Sequence, residues 1–224
     1  MIFAAATWDW SVVTDNADLF LQGARVTVGL TVITMLLSLG GGLVLAVMRT
    51  SGRPLLDRPA AAFVNFFRSV PLLLLLYWFF YVLPSLTGLT LSSFASALLG
   101  LTIVASAYIA ETFRAGIVSI RGGQHAAALA LGMSRRQVFV RVVFPQALRR
   151  VVPPLASIWV SLFKDTSLVS TIGVADLSHA AFSVRARTFR VFEVLTALAI
   201  MYLVLAYPQA KLTDWLHRRF HVEE

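Results

Sequence analysis

Residues 26–48 read VTVGLTVITMLLSLGGGLVLAVM, twenty-three positions without a charge, bracketed by Arg25 and Arg49. A helix needs about 20 mostly apolar residues to cross the hydrocarbon core of a bilayer, so this stretch predicts a membrane span. Gly40, Gly41 and Gly42 would weaken a helix in water, but small residues let membrane helices approach one another closely. Composition extends the reading to the whole chain. Of 224 residues, 58% are hydrophobic and only 13% charged, with a mean hydropathy of +0.79, against about 25% charged in an ordinary soluble domain. That excludes a disordered chain, a small disulfide scaffold and a typical soluble enzyme. With no Cys there is no disulfide frame, Cys-ligated metal site or thiol nucleophile.

Four further spans follow. Residues 60–84 predict a second, in which the apolar part after Pro71 is too short to cross alone, so Arg68 falls in its first third. Residues 92–114 predict a third, with Ser92, Ser96 and Gly100 in a small-xxx-small stripe, and residues 151–174 and 191–210 a fourth and fifth. The fourth is interrupted by Lys164-Asp165. The aromatics Trp78, Phe79, Phe80 and Tyr81 predict a lipid-facing or interfacial belt. The expected fold is all-α, an integral membrane protein of about five transmembrane helices in one domain.

Charge sets the orientation. The net charge of +8 comes from 19 Lys and Arg that sit in gaps between apolar runs rather than in one basic stripe, which points to cytoplasmic loops and away from nucleic acid. Asp9, Asp15 and Asp18 lie near the N-terminus; Arg49, Arg53 and Arg58 follow the first span, and Arg121, Arg135, Arg136, Arg141, Arg149 and Arg150 lie between the third and fourth. The positive-inside bias then puts the N-terminus outside and the C-terminus in the cytoplasm. Arg185, Arg187 and Arg190 dissent, on the outer side. The N-terminus lacks the basic start of a cleaved signal peptide.

The loop over residues 121–149 carries the most specific pattern. Gly122-Gly123 ends one helix, QHAAALAL forms another, Gly132 permits a turn, and Ser134 with Gln137 reads as a capping box opening a helix toward Pro145. Taken alone, this reads first as an amphipathic cytoplasmic linker on the membrane surface. Yet Ala126-Ala127, Gly132 and Pro145-Gln146-Ala147 resemble the cytoplasmic "EAA" loop of bacterial ABC importer permeases. The pattern RAGI.SI..GQ.AAALALGMS....F...V.PQALR...P, then KDTSL and IGVADL, is similar to the polar amino-acid uptake permeases. FVNFFRSVPLLL and LAVMRTS match the same family over nearly the whole chain, and NFFRSVPL resembles glutamate/aspartate permeases.

The resemblance implies a bacterial plasma (inner) membrane permease subunit. Its implied partners are a second, identical or homologous permease, two ATP-binding subunits and an extracytoplasmic solute-binding protein. The loop helix would be a coupling helix docked on an ATP-binding subunit, through Gln124, His125, Ala126, Ala127, Leu129, Gly132 and Arg135. His125 stands where the family has an acidic residue. No G-x-x-x-x-G-K-[ST] occurs, so ATP and Mg would belong to the partner; no cofactor, metal or catalytic residue is expected in this chain.

Charges inside a span face a cavity, a partner or protein interior. Arg68, Lys164, Asp165, Thr166 and Ser167 are therefore the substrate-path candidates, with helix-to-helix pairing and interface anchoring as the competing roles. Lys164 and Asp165 point about 100° apart and do not simply neutralise one another. A secondary transporter or channel working alone is the alternative, weakened by the lack of an internal repeat. A membrane enzyme is a third, for which Glu111, Lys164, Asp165 and Glu193 show no suggestive spacing.

Overall fold

The computed structural model describes residues 8–120 and 127–220, and among these there is no strand. After a single turn at Ser11–Thr14 come α1 (Ala17–Thr50), α2 (Pro54–Ser69), α3 (Leu72–Thr87), α4 (Ser93–Val118), α5 (Arg135–Ile172), α6 (Leu177–Thr188) and α7 (Val191–Arg219). α1, α4 and α7 are long and apolar enough to cross a membrane unbroken. α2 with α3 and α5 with α6 form two bent pairs, which makes five spans if each pair is one.

Two segments differ from a straight-helix reading. The stretch over 60–84 is not one helix: α2 and α3 meet at 104°. Pro71 supplies no backbone N–H and pushes the preceding residue out of the helical region, and Val70 is extended at φ −87°, ψ 132°. Conversely, Pro145 does not end the helix it follows. A π-helical turn at Phe139–Val143 precedes it, re-phasing the ladder at the point where the proline removes a donor, so α5 runs on as a helix to Asp165 and tightens to a 3₁₀ turn at Thr166–Ile172.

α1 and α4 form the centre of the bundle, packed at glycine distance. A Cβ on Gly42 would collide with the Ile109 side chain, and one on Gly41 would lie 2.6 Å from Ser106 Oγ. Ser38 Oγ donates to the Thr102 carbonyl at 3.2 Å. The main core joins Leu30 and Met35 of α1, Leu76 of α3, Leu101, Ala105 and Ile109 of α4, and Leu162 and Val169 of α5. Ser96 and Gly100 face this interior, Gly100 against Leu76 and Phe79, whereas Ser92 caps α4 by accepting from the Ala95 N–H at 3.2 Å. The expected aromatic belt is divided: Trp78 and Tyr81 are exposed, but Phe79 is buried and Phe80 packs on the core.

A second core ties Phe20 of α1 to Leu177, Ala181 and Val184 of α6 and Val194 of α7. Its seam is polar. Asp176 is buried and caps α6 by accepting from Ser178 and His179 N–H groups at 3.2 and 2.9 Å. The Tyr202 hydroxyl donates to the Asp176 carboxylate at 3.4 Å. Gly23 lets the α1 backbone reach this cap, since a Cβ there would lie 2.7 Å from the Asp176 carbonyl oxygen.

Candidate functional site

One face of α5 cannot face lipid comfortably. Pro154, Ser157, Ser161, Lys164 and Asp165 are all exposed, following half-buried Arg150, and they recur at the three- and four-residue spacing of a single helical stripe. Uncompensated charge in hydrocarbon costs about 2.5–3.5 kcal/mol on insertion scales, so this face requires water or another chain against it.

Cavities flank the stripe. One of about 270 Å³ lies between α3, α4 and α5, with Leu72, Leu101, Val104, Ser161 and Asp165 on its walls. A second of about 580 Å³ lies further along, lined by Arg68, Glu111, Ala115, Ser119, Arg150 and His217. Tyr108 lines both. The α4 positions recur every three or four residues from Leu101 to Ser119, so one helix face walls both spaces. From Arg150 to Asp165 the two cavities extend along about 22 Å of α5.

Lys164 and Asp165 are separated. Asp165 enters the α3–α4 cavity, while Lys164 and Ser167 line a space of about 430 Å³ against Tyr202, Leu203 and Tyr207 of α7. Thr166 enters neither: it is buried and its hydroxyl donates to the Phe163 carbonyl at 2.7 Å. Arg68, in the last turn of α2, stacks its guanidinium 5.4 Å from the centre of the Tyr108 ring. At the same end, Glu111 accepts from Arg114 through both carboxylate oxygens and lies 3.7 Å from Arg49, which also bonds Asp57 at 3.1 Å. This network joins α1, α2 and α4. Its members and Tyr108 carry no sequence motif, and only the packing of distant segments reveals them.

The loop helix is described from residue 127. Helical residues 127–130 end in a Schellman motif: Met133 N–H donates to the Ala128 carbonyl at 3.2 Å and Gly132 N–H to the Leu129 carbonyl at 2.9 Å, with Gly132 at φ +80°. Ser134 and Gln137 form the expected capping box. Ala128, Val138 and Val143 make a small core with Ile117 and Met133, which fixes the loop to the ends of α4 and α5. Ala127, Leu129 and Arg135 point outward, as does Leu131, an apolar side chain that is 83% exposed and has no special place in the sequence pattern. Gln124, His125 and Ala126 lie outside the described residues. Among the described residues no group of three or more His, Asp or Glu could hold a metal.

The family described as binding-protein-dependent transport system inner membrane component matches residues 28–222. This chain belongs to that family. It is 34% identical over 220 residues to the glutamine transport system permease protein GlnP of Escherichia coli strain K12, covering 96% of this chain and 99% of that one. It is 35% identical over 219 residues to the glutamate/aspartate import permease protein GltK of Escherichia coli O157:H7, covering 95% and 98%. A crystal structure of an amino acid ABC transporter with histidines contains a chain that superposes with a TM-score of 0.90 at 31% identity, over 95% of this chain and 99% of that chain. The family member thus has the all-α membrane fold expected from its sequence, among relatives that are amino-acid permeases.

Proposed function

We propose that this chain is the membrane permease subunit of an ATP-driven importer of polar amino acids in the bacterial inner membrane. The observation that carries the reading is the polar, outward-facing stripe of α5 flanked by cavities, in a member of a binding-protein-dependent transport family. Such a face is satisfied by a second permease, identical or homologous, set against it with an aqueous path between them. Two ATP-binding subunits supply ATP, Mg and hydrolysis, and dock on the outward residues of the loop helix, Ala127, Leu129 and Leu131, on Gly132 and on Arg135 at the start of α5, together with Gln124, His125 and Ala126. An extracytoplasmic binding protein delivers the amino acid.

Glutamate and aspartate are the substrates to test first. A carboxylate side chain loses water on entering the path, and Lys164, on the α7 side of the exposed α5 stripe and apart from the cavity that Asp165 lines, offers a fixed cation toward the facing permease. The test is ATP-dependent uptake of labelled glutamate by the reconstituted complex, with competition by each of the twenty amino acids. Competition by aspartate and not by glutamine supports the acidic assignment; preferential competition by glutamine overturns it. Absence of uptake for every amino acid overturns the transport reading itself.

A further inference from the structure

We propose that Tyr108, braced by Arg68, is the barrier residue between the two stacked cavities; this deepens the transport reading above and rests on it. Three observations converge. Tyr108 lines both cavities, so its side chain stands at their junction. The Arg68 guanidinium lies over that ring at 5.4 Å, and the Tyr108 hydroxyl donates to the Arg68 carbonyl at 3.5 Å, so the barrier is held from α2 as well as from α4. Arg68 sits in the last turn of α2, immediately before the 104° bend into α3.

The chemistry of Arg68 gives the barrier a key. Among the described residues Arg68 has no carboxylate within ion-pair distance, its neighbour Glu111 being bonded to Arg114. A cation that faces an aromatic ring and the already engaged Glu111 carboxylate, without an ion pair of its own, is available to a stronger acceptor, and a carboxylate binds a guanidinium in a bidentate, charge-assisted pair. A solute carrying a carboxylate in the large cavity therefore draws Arg68 off the ring. The exposed Tyr108 side chain then turns about its own Cα–Cβ bond, and a shift in the α2–α3 bend does the same by carrying Arg68 away. The permeant class this selects is one with a free carboxylate.

The absence of native Cys gives a direct test in membrane vesicles holding the assembled complex without nucleotide. A cysteine at Ala115, in the large cavity, identifies the side from which a charged, membrane-impermeant thiosulfonate enters. A cysteine at Val104, in the small cavity, is then labelled from that same side. With Tyr108 in place, Val104→Cys labels slowly; in Tyr108→Ala it labels about tenfold faster or more, the effect of removing roughly 1.4 kcal/mol of barrier. Arg68→Gln raises the rate about two- to fivefold, the scale of an exposed cation–π contact, and Tyr108→Phe keeps it slow. Equal rates with Tyr108 and Tyr108→Ala overturn the barrier. Should Tyr108→Ala fail to assemble, Arg68→Gln carries the test, because Arg68 is exposed, and an unchanged rate there overturns the brace. Labelling needs no transport, so its failure is distinct from the failure of amino-acid uptake.

Discussion

At the scale of single residues, the three consecutive glycines of α1 have different duties. A Cβ on Gly40 would meet nothing within 4 Å, while one on Gly42 would drive into Ile109 and approach the Ala110 backbone nitrogen at 3.1 Å. Gly42→Ala is therefore expected to destabilise the bundle by about 1–3 kcal/mol, the usual cost of overpacking, and Gly40→Ala to leave stability no lower. Thermal unfolding of the two purified variants checks this; equal midpoints would refute the close α1–α4 contact. The sequence showed that glycines here suit helix packing, but not which one faces α4, because that depends on the rotation of α1 against a segment more than sixty residues away. Asp9 makes a second case. Its carboxylate accepts from the Ser11 hydroxyl at 2.6 Å and N–H at 3.1 Å, which hold its pKa below the ordinary value, with the Arg190 charge adding to the effect. A depressed carboxylate pKa contributes stability above the ordinary range and loses it as pH falls through the lowered value. Emission from the stacked Trp8 and Trp10 should thus stay constant on acidification through the ordinary aspartate range and change only below it, and Asp9→Asn should abolish that step.

At the scale of elements, the loop helix and the bent pairs divide what local pattern can and cannot show. The capping box at Ser134 and the turn at Gly132 were legible because each depends on a few adjacent residues and on backbone chemistry alone. The 104° bend has a legible cause in Pro71, whereas the burial of Ala60 and Val64 that seats α2 depends on distant segments. The passage of α5 through Pro145 was not legible, since a π-helical turn leaves no composition signal. In the site, Lys164 and Asp165 were visible as charges pointing apart, yet their separate cavities arise from α3, α4 and α7. Leu131 escaped notice because one leucine in an alanine-rich helix has no signature, and its meaning lies in its exposure. If the loop docks through this face, Leu131→Asp puts a carboxylate into a desolvated contact at a cost of several kcal/mol. Uptake is expected to fall at least about tenfold while the chain still inserts and its Tm is unchanged. Normal uptake with full binding of the ATP-binding subunit would remove Leu131 from the interface. Gly132→Val strains a φ of +80° by about 1–2 kcal/mol and should weaken the same coupling to a smaller extent.

At the scale of the whole molecule, the two ends of the bundle have opposite electrostatic designs. One end gathers Arg49, Asp57, Glu111 and Arg114 in a network and adds the Arg135, Arg136, Arg149 and Arg150 of α5. At the other, the basic residues that dissent from the charge bias are engaged within the chain. Arg190 lies 3.8 Å from Asp9 and 3.5 Å from buried Glu193, Arg187 donates to the Ser183 carbonyl at 3.3 Å, and Arg185 stacks 5.1 Å from the Phe182 ring centre. The contact between Asp9 and Arg190 places the acidic N-terminal segment and the basic α6–α7 junction on one side of the membrane, whichever side that is. The excess of Arg at the loop end leads us to propose that this end faces the cytoplasm, because the bias counts Lys and Arg near the span ends. Cysteine at Ser92, the cap of α4, should accordingly react with an impermeant reagent from outside intact cells, and cysteine at Ser134 only after the inner face is opened. The cysteine-free background makes each signal specific to its site. Reactivity of Ser134→Cys in intact cells would invert the orientation, and reactivity of both from one side would mean that α4 and the start of α5 do not carry the chain across.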